Sequence, residues 1–366
     1  MTDRAARVLL CGAGTGGHLY PGIAVAQELR RRRPTAHVVF AGTGRALETR
    51  EVARHGFDHA QVRSAGLKRK SVGALVRGLA LLPLSAWDAW RVLSRVRPDL
   101  VIGLGGYSSG AVVLMAACRG TPTLLLEQNA LPGMTNRLLA RVVTAAAVSH
   151  DAALPYFRGK AFVSGNPVRV GFSESTPRSP PQSRTRARAR LLVIGGSQGA
   201  HAINVAMIDA ARAFAARAGT LAVTHQTGER DCAEVRRAYQ RARLEARVEP
   251  FFEEMVELMD EADLVVCRAG ATTLAELAAV GRPALLIPLP GAADDHQRVN
   301  AQVLARHGAG ELLPQPELSG ETLAARVLAL IDDGPRRLRM AEAARTLASP
   351  DAARLIVDRA ERLARW

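Results

Sequence analysis

Short, continuous apolar runs alternate along this chain with longer stretches in which apolar residues recur every three or four positions. Val8–Cys11, Val38–Ala41, Leu100–Gly103 and Thr123–Leu126 are such runs in the first half; Leu191–Ile194, Leu221–His225, Leu264–Cys267 and Ala284–Pro288 follow in the second. Ile23–Arg33 and Ala202–Arg217 carry the intervening helical pattern. Apolar runs without polar alternation predict strands buried on both faces, and the helices between them predict parallel sheets of the α/β class. The rhythm breaks at Ser173–Arg190, "SESTPRSPPQSRTRARAR", where Pro, Ser and Arg leave no apolar period. That stretch predicts a surface connection at a domain boundary, and the length of the chain suits roughly two domains.

The halves echo each other. The first strand runs into "GAGTGGH" (Gly12–His18) and the strand Leu191–Ile194 into "GGSQGAH" (Gly195–His201). Both read G-x-x-x-G-x-H between a strand and a helix, which predicts two similar domains. The first loop also spells G-x-G-x-x-G through Gly12, Gly14 and Gly17, a dinucleotide fingerprint. Such a site needs a carboxylate at the end of the second strand to hold a ribose. Gly42, Thr43, Gly44 and Arg45 stand there instead, and Glu48 comes only inside the next helical pattern. Arg45 would suit a 2′-phosphate, so an NAD(P)-dependent oxidoreductase stays as an alternative, disfavoured by the bulk of His18, Tyr20 and Pro21. A second Gly-rich loop, "GLGGYSSG" (Gly103–Gly110), follows another strand. Two such loops in one domain predict a broad anion-binding floor, suited to a diphosphate.

Charge changes this picture little. The net charge is +15, yet of 49 basic residues only Lys68, Lys70 and Lys160 are lysines. Abundant Arg and Ala together are what a GC-rich coding sequence produces. Aromatics make up only 4% of the chain, and no nucleic-acid module is present, so no nucleic-acid partner is expected. An anionic membrane surface is a better partner. In Gly66–Trp90, Lys68, Arg69 and Lys70 lead an apolar run that ends in Trp87 and Trp90, the pattern of an interfacial segment. Arg77 and Pro83 argue against spanning, and no uncharged apolar stretch reaches about 18 residues. Val8–Cys11 is too short to be the core of a signal peptide. Cys11, Cys118, Cys232 and Cys267 form no C-x-x-C pair, so neither a zinc knuckle nor a redox dithiol is expected and a reducing cytoplasm fits.

The densest chemistry lies in Asp263–Ala301, "DLVVCRAGATTLAELAAVGRPALLIPLPGAADDHQRVNA". The amides of Ala271–Thr273 open a helix and suit a diphosphate. Glu276, about one turn in, can accept two ribose hydroxyls, and Gln297 can donate to and accept from a sugar.

In order, "GTGGHLYPGIAVA", "GLGGYSSG", "EQNALPGMTNR", "GNPVR", "GGSQGAHAIN", "RAGATTLAEL" and "DDHQRVNA" closely resemble the motifs of the MurG family, over essentially the whole chain. These are UDP-N-acetylglucosamine–N-acetylmuramyl-(pentapeptide) pyrophosphoryl-undecaprenol N-acetylglucosaminyltransferases. The resemblance implies the α/β GT-B fold: two Rossmann-like parallel-sheet domains facing each other across a cleft. Residues 1–168 would take the lipid acceptor and face the membrane. Residues 169–345 would take UDP-GlcNAc, with 173–190 as the Pro/Ser/Arg-rich segment, and the helix in 346–366 would pack back on the first domain.

For the donor, the resemblance places Arg169 and Ser197 at the diphosphate and brings Phe252 to the uracil through its backbone. Ala271, Thr272, Thr273, Leu274, Ala275 and Glu276 would hold diphosphate and ribose, with Gln297 on the GlcNAc hydroxyls. Thr15, Gly16, Gly17 and Asn129 would close over the sugar. Phe252 stands where many relatives carry a smaller aliphatic residue, which bears on the shape of the uracil pocket.

The implied reaction moves GlcNAc, with inversion, from UDP-GlcNAc to the 4-hydroxyl of MurNAc-(pentapeptide)-diphospho-undecaprenol (lipid I). The product, lipid II, feeds peptidoglycan and cell-wall synthesis at the cytoplasmic face of the bacterial plasma (inner) membrane, where the enzyme would be peripheral. The attacking hydroxyl needs a base: His18 is the candidate, and Glu127 is its rival. No Asp-x-Asp motif occurs, so no protein-bound metal or other cofactor is expected, and a stimulating divalent cation would act through the substrate. Another GT-B enzyme with a lipid acceptor, such as a diacylglycerol glycosyltransferase, is the nearest alternative.

Overall fold

In a computed structural model of the protein, the described residues are 5–12, 16–63, 81–173, 188–196, 199–217, 219–292 and 295–366. They fall into two units, Met1–Arg169 with Ser349–Trp366, and Val170–Ala348. The first holds β1 (Arg7–Cys11), β2 (His37–Gly42), β3 (Asp58–Gln61), β4 (Leu100–Gly103), β5 (Thr123–Glu127), β6 (Ala145–Val148) and β7 (Ala161–Val163), in the order β3-β2-β1-β4-β5-β6-β7. The second holds β8 (Ala189–Ile194), β9 (Leu221–Gln226), β10 (Ala246–Glu249), β11 (Leu264–Cys267), β12 (Ala284–Leu286) and β13 (Gly310–Leu312), in the order β10-β9-β8-β11-β12-β13. All pairings are parallel.

Each of the eight apolar runs named from the sequence coincides with a strand. Side chains alternate across the sheet: Val8 and Leu10 enter one core of the first unit, Leu9 and Cys11 the other. The strands that hydropathy does not announce are β3, β7, β10 and β13, which are the four sheet edges, and the alanine-rich β6. An edge strand is not enclosed on all sides, so it needs no continuous apolar run.

Strand order reverses between β1 and β4 and again between β8 and β11. At such a point consecutive connections leave in opposite directions, and a crevice opens beyond the carboxyl ends of the strands. In the first unit, Gly12 (φ 113°) fits the crevice because a Cβ there would stand 2.2 Å from the Gly105 carbonyl oxygen. Backbone meets backbone, and no larger residue can be admitted. Gly199 (φ 75°) plays the same part in the second unit, where a Cβ would come within 2.0 Å of the Thr227 carbonyl oxygen.

The C-terminal helix Ala352–Ala364 packs on helix Gly16–Arg32 of the first unit. Arg32 reaches Asp358 (2.6 Å) and Glu361 (3.2 Å), Arg33 reaches Glu361 (3.0 Å), and Ile356, Val357 and Ala360 enter the core. Cys11 and Cys267 are buried. Burial raises both thiols, that of Cys267 to about 12, so they act as small apolar residues.

Helix Leu82–Val96 buries Ser85, Ala89, Leu93 and Val96 on one side. On another it exposes Leu84, Trp87 and Trp90, and the two indoles stack with centroids 5.2 Å apart. Arg63 and Asp88 form a two-pronged ion pair (2.8 Å each). Lys68, Arg69, Lys70 and Arg77 of the expected interfacial segment lie outside the described residues. Among the described residues no helix is long and apolar enough to cross a membrane.

Candidate functional site

All seven motifs leave the carboxyl ends of parallel strands: β1, β4, β5 and β7 in the first unit, β8, β11 and β12 in the second. The sequence therefore concentrates its Gly-rich and polar stretches where an α/β sheet binds ligands.

In the first unit, helix Gly16–Arg32 begins directly after the β1 loop, with His18 as its third residue. Gly16 is buried and Gly17 exposed, while Thr15 lies outside the described residues. The His18 ring lies against the second Gly-rich loop, where a Cβ on Gly105 would come within 3.0 Å of its Cε1 and Nδ1. His18 Nδ1 lies 3.1 Å from Gln128 Oε1, and Gln128 Nε2 donates to the Leu104 carbonyl at 3.1 Å. Arg169 stacks its guanidinium 4.5 Å above the Tyr20 ring.

Glu127, the last residue of β5, is a buried carboxylate with a full set of donors. Its Oε1 accepts from the amide nitrogen (3.0 Å) and Nδ2 (3.1 Å) of Asn129. Its Oε2 accepts from the Gly133 amide (3.0 Å) and Asn136 Nδ2 (2.8 Å). The carboxylate folds the "EQNALPGMTNR" loop and positions Asn129. A base needs an oxygen that can reach the substrate proton, and these two are spent on the loop.

The dinucleotide alternative fails in a specific way. A carboxylate does reach the end of β2, because Glu48 folds back beneath Gly42, where a Cβ would come within 1.4 Å of its Oε1. It is only 1% exposed and pairs with His59 at 3.3 Å. Burial raises its carboxyl, but the hydrogen bond and charge of His59, with help from Thr43 and the Gly44 amide, outweigh that and hold it below the usual range. It is sealed off from any ribose.

In the second unit, helix Ala271–Val280 starts at the β11 crevice with Gly270 as its cap. The first three amides of a helix have no carbonyl to bond within it, and here they belong to Ala271, Thr272 and Thr273, the residues expected at the diphosphate. Leu274 does not fit the role expected of it: its amide bonds the Gly270 carbonyl (3.0 Å) and its side chain is in the core. Ala275 follows inside the helix, and Glu276 sits in the second turn, buried.

The Phe252 backbone is engaged on one side. Its amide donates to Gln226 Oε1 at 3.0 Å, its ring is buried, and Arg247 stacks on that ring at 4.6 Å. A buried N–H must find a partner, so the carbonyl alone remains for the expected uracil contact. Gln297 accepts from the Leu289 amide at 2.9 Å through Oε1. Ser197 lies outside the described residues.

The echoed histidine has a different partner. His201 Nδ1 meets Asp231 Oδ2 at 3.0 Å, and Asn204 Nδ2 donates to the same oxygen at 2.8 Å. Burial raises the Asp231 carboxyl, but the Asn204 and His201 bonds hold it below the usual range. Behind it, wholly buried His225 bonds Tyr239 Oη (2.8 Å) and Asn204 Oδ1 (3.0 Å); burial lowers its ring to about 3, so it stays neutral.

Four positioning residues escaped the sequence reading. Gln128 and Gln226 stand at the ends of buried strands; Gln226 also donates to the Gly196 carbonyl at 3.1 Å and so joins the Gly-rich loop to Phe252. Arg268 donates to the Ile287 and Pro288 carbonyls (3.0 and 3.2 Å). Asn136 closes the Glu127 loop. An amide at the end of an apolar run is the signal that could have found the first two.

A family model described as the glycosyltransferase family 28 N-terminal domain matches residues 8–148, and one for the C-terminal domain of that family matches residues 190–356. The chain is 46% identical to the UDP-N-acetylglucosamine–N-acetylmuramyl-(pentapeptide) pyrophosphoryl-undecaprenol N-acetylglucosamine transferase of Anaeromyxobacter sp. (strain Fw109-5), over 96% of this chain and 92% of that one. It is 42% identical to the enzyme of the same name from Geotalea uraniireducens (strain Rf4), over 96% and 97%. Among solved structures it resembles Acinetobacter baumannii MurG, with a TM-score of 0.76 and 30% identity over 98% of this chain and 99% of that one.

Proposed function

The chain belongs to glycosyltransferase family 28, and from that premise we infer that it transfers N-acetylglucosamine from UDP-GlcNAc to the 4-hydroxyl of lipid I, forming lipid II for peptidoglycan. The observation that carries this reading is the placement of all seven motifs at strand carboxyl ends in a chain with relatives of that one activity.

The donor sugar is α-linked and the product β-linked, so a single displacement suffices. The acceptor hydroxyl attacks the anomeric carbon, its proton passes to a base, and UDP leaves with the electron pair of the broken bond. In this reading His18 is the base. Glu276 takes the ribose hydroxyls, Gln297 donates to the sugar, and Gly16, Gly17 and Asn129 close over the sugar, with Thr15 and Ser197 assigned by motif alone. The leaving diphosphate is held by Arg169 and the amides of Ala271–Thr273, which place positive charge and donors where negative charge develops. In this reading no protein-bound metal takes part, and a divalent cation that stimulates turnover does so on the substrate diphosphate.

The test is transfer of radiolabelled GlcNAc from UDP-GlcNAc to lipid I in vesicles, with diacylglycerol as the competing acceptor and NADPH as the competing ligand in calorimetry. Label in lipid II alone is expected. Label on diacylglycerol, or saturable NADPH binding, would overturn the reading.

The lipid acceptor calls for a peripheral station at the cytoplasmic face of the inner membrane. Support comes from helix Leu82–Val96, which exposes Leu84, Trp87 and Trp90 opposite its buried side. An exposed apolar patch with paired Trp residues, next in sequence to Lys68–Lys70, fits an anionic lipid surface. Reversing the charges of Lys68, Arg69 and Lys70 should weaken binding to phosphatidylglycerol vesicles at least tenfold, since each basic residue near such a surface contributes about 1 kcal/mol. Unchanged sedimentation with vesicles would remove this segment from the interface.

A further inference from the structure

We propose that Gln128 is a positioning residue that fixes the tautomer of His18, so that the ring meets the acceptor with the nitrogen able to take a proton. The inference rests on the reading of His18 as the base.

The argument starts at the Leu104 carbonyl. A carbonyl oxygen only accepts, so the Gln128 nitrogen must face it, at 3.1 Å. The Gln128 side chain is buried, and this bond removes its freedom to flip. Its oxygen is then turned toward His18 Nδ1 at 3.1 Å. An amide oxygen also only accepts, so Nδ1 must carry the hydrogen. In neutral imidazole the other nitrogen, Nε2, then holds the lone pair. The Gly105 backbone beside the ring restricts its rotation. Leu104 fixes Gln128, and Gln128 fixes His18.

The second G-x-x-x-G-x-H loop shows what is particular about this arrangement. There the histidine Nδ1 faces a carboxylate, Asp231 Oδ2, at 3.0 Å. In the first loop it faces a neutral amide. An amide orients the ring without supplying a counter-charge for the imidazolium, which suits a group that must be unprotonated before it acts.

The experiment compares kcat/KM against pH for the wild type, Gln128→Met, Gln128→Glu and His18→Ala, with thermal melts to show that each folds. Gln128→Met keeps the length and loses both hydrogen bonds. It should lower kcat by about 10–100-fold, the usual cost of removing an orienting partner, and should cost nothing further when added to His18→Ala. Gln128→Glu places a carboxylate beside the ring, and the acid limb of the profile should move up by about one to three pH units. Should Gln128→Glu fail to fold, the double-variant comparison decides alone. If the acid limb does not move, or the losses of Gln128→Met and His18→Ala multiply, Gln128 only packs the loop: the inference fails and the His18 reading stands. If His18→Ala keeps more than a tenth of the activity, the base reading itself fails and takes the inference with it.

Discussion

Replacing His18 with alanine is expected to lower kcat for GlcNAc transfer by about 10²–10⁴, the range that a positioned general base contributes. Donor affinity should hardly change. The groups read as holding the uracil, ribose and diphosphate of UDP-GlcNAc are, apart from Arg169, those of the second unit, whereas His18 is the third residue of a helix of the first. A group that acts only on the proton leaving the acceptor lowers kcat and kcat/KM together and leaves ground-state binding alone. Calorimetry of UDP-GlcNAc binding beside single-turnover transfer separates the two. A loss below tenfold with normal donor binding would leave His18 as a shaper of its loop and place the base elsewhere.

Glu127→Gln should cost stability rather than alter the pH dependence. The wild-type carboxylate accepts four hydrogen bonds, two on each oxygen. An amide has one accepting oxygen, and its NH₂ would point at two of those donors. Each buried donor left without a partner costs about 1–3 kcal/mol, so a loss of about 2–6 kcal/mol is expected in the first unit. Calorimetric unfolding would show it as a lower transition for that unit, with the second unit unmoved. Activity should fall as well, because Gln128 and Asn129 sit on the loop that Glu127 folds, but the acid limb of the pH profile should stay in place. A stable Glu127→Gln enzyme that had lost its acid limb would return Glu127 to contention as the base.

Hydropathy was enough to find eight of the nine strands inside the two sheets, because a strand enclosed on all sides must be apolar throughout; it passed over β6, which is built mostly of alanine. It was silent at the edges, where β3 reads "DHAQ" and β10 "ARVE". The Gly-rich motifs pointed to the two crevices, since only glycine tolerates the contact between Gly12 and Gly105. What stayed hidden was which polar groups are already spoken for. Nothing in the letters of "EQN" says that the Glu is saturated and the Gln turns a ring 110 residues away in sequence. Nor does "FFEEM" show that the Phe252 amide is taken by Gln226. The first is a fact of how one loop folds back on its own carboxylate, and the pairings of Gln128 with His18 and of Gln226 with Phe252 appear only once distant segments stand side by side.

The return of helix Ala352–Ala364 to the first unit has a consequence for synthesis. The chain leaves that unit after Arg169, builds the whole of Val170–Ala348, and only then supplies the segment that carries Ile356, Val357 and Ala360 into the first core. At ribosomal speeds of about 5–20 residues per second, the first unit waits on the order of 10–40 s with that flank of helix Gly16–Arg32 uncovered. The unit synthesised first is therefore the one finished last. A nascent chain that stalls within the second unit leaves the His18 helix without its partner, open to chaperones and proteases, so a complete acceptor half exists only in molecules that have also made the donor half.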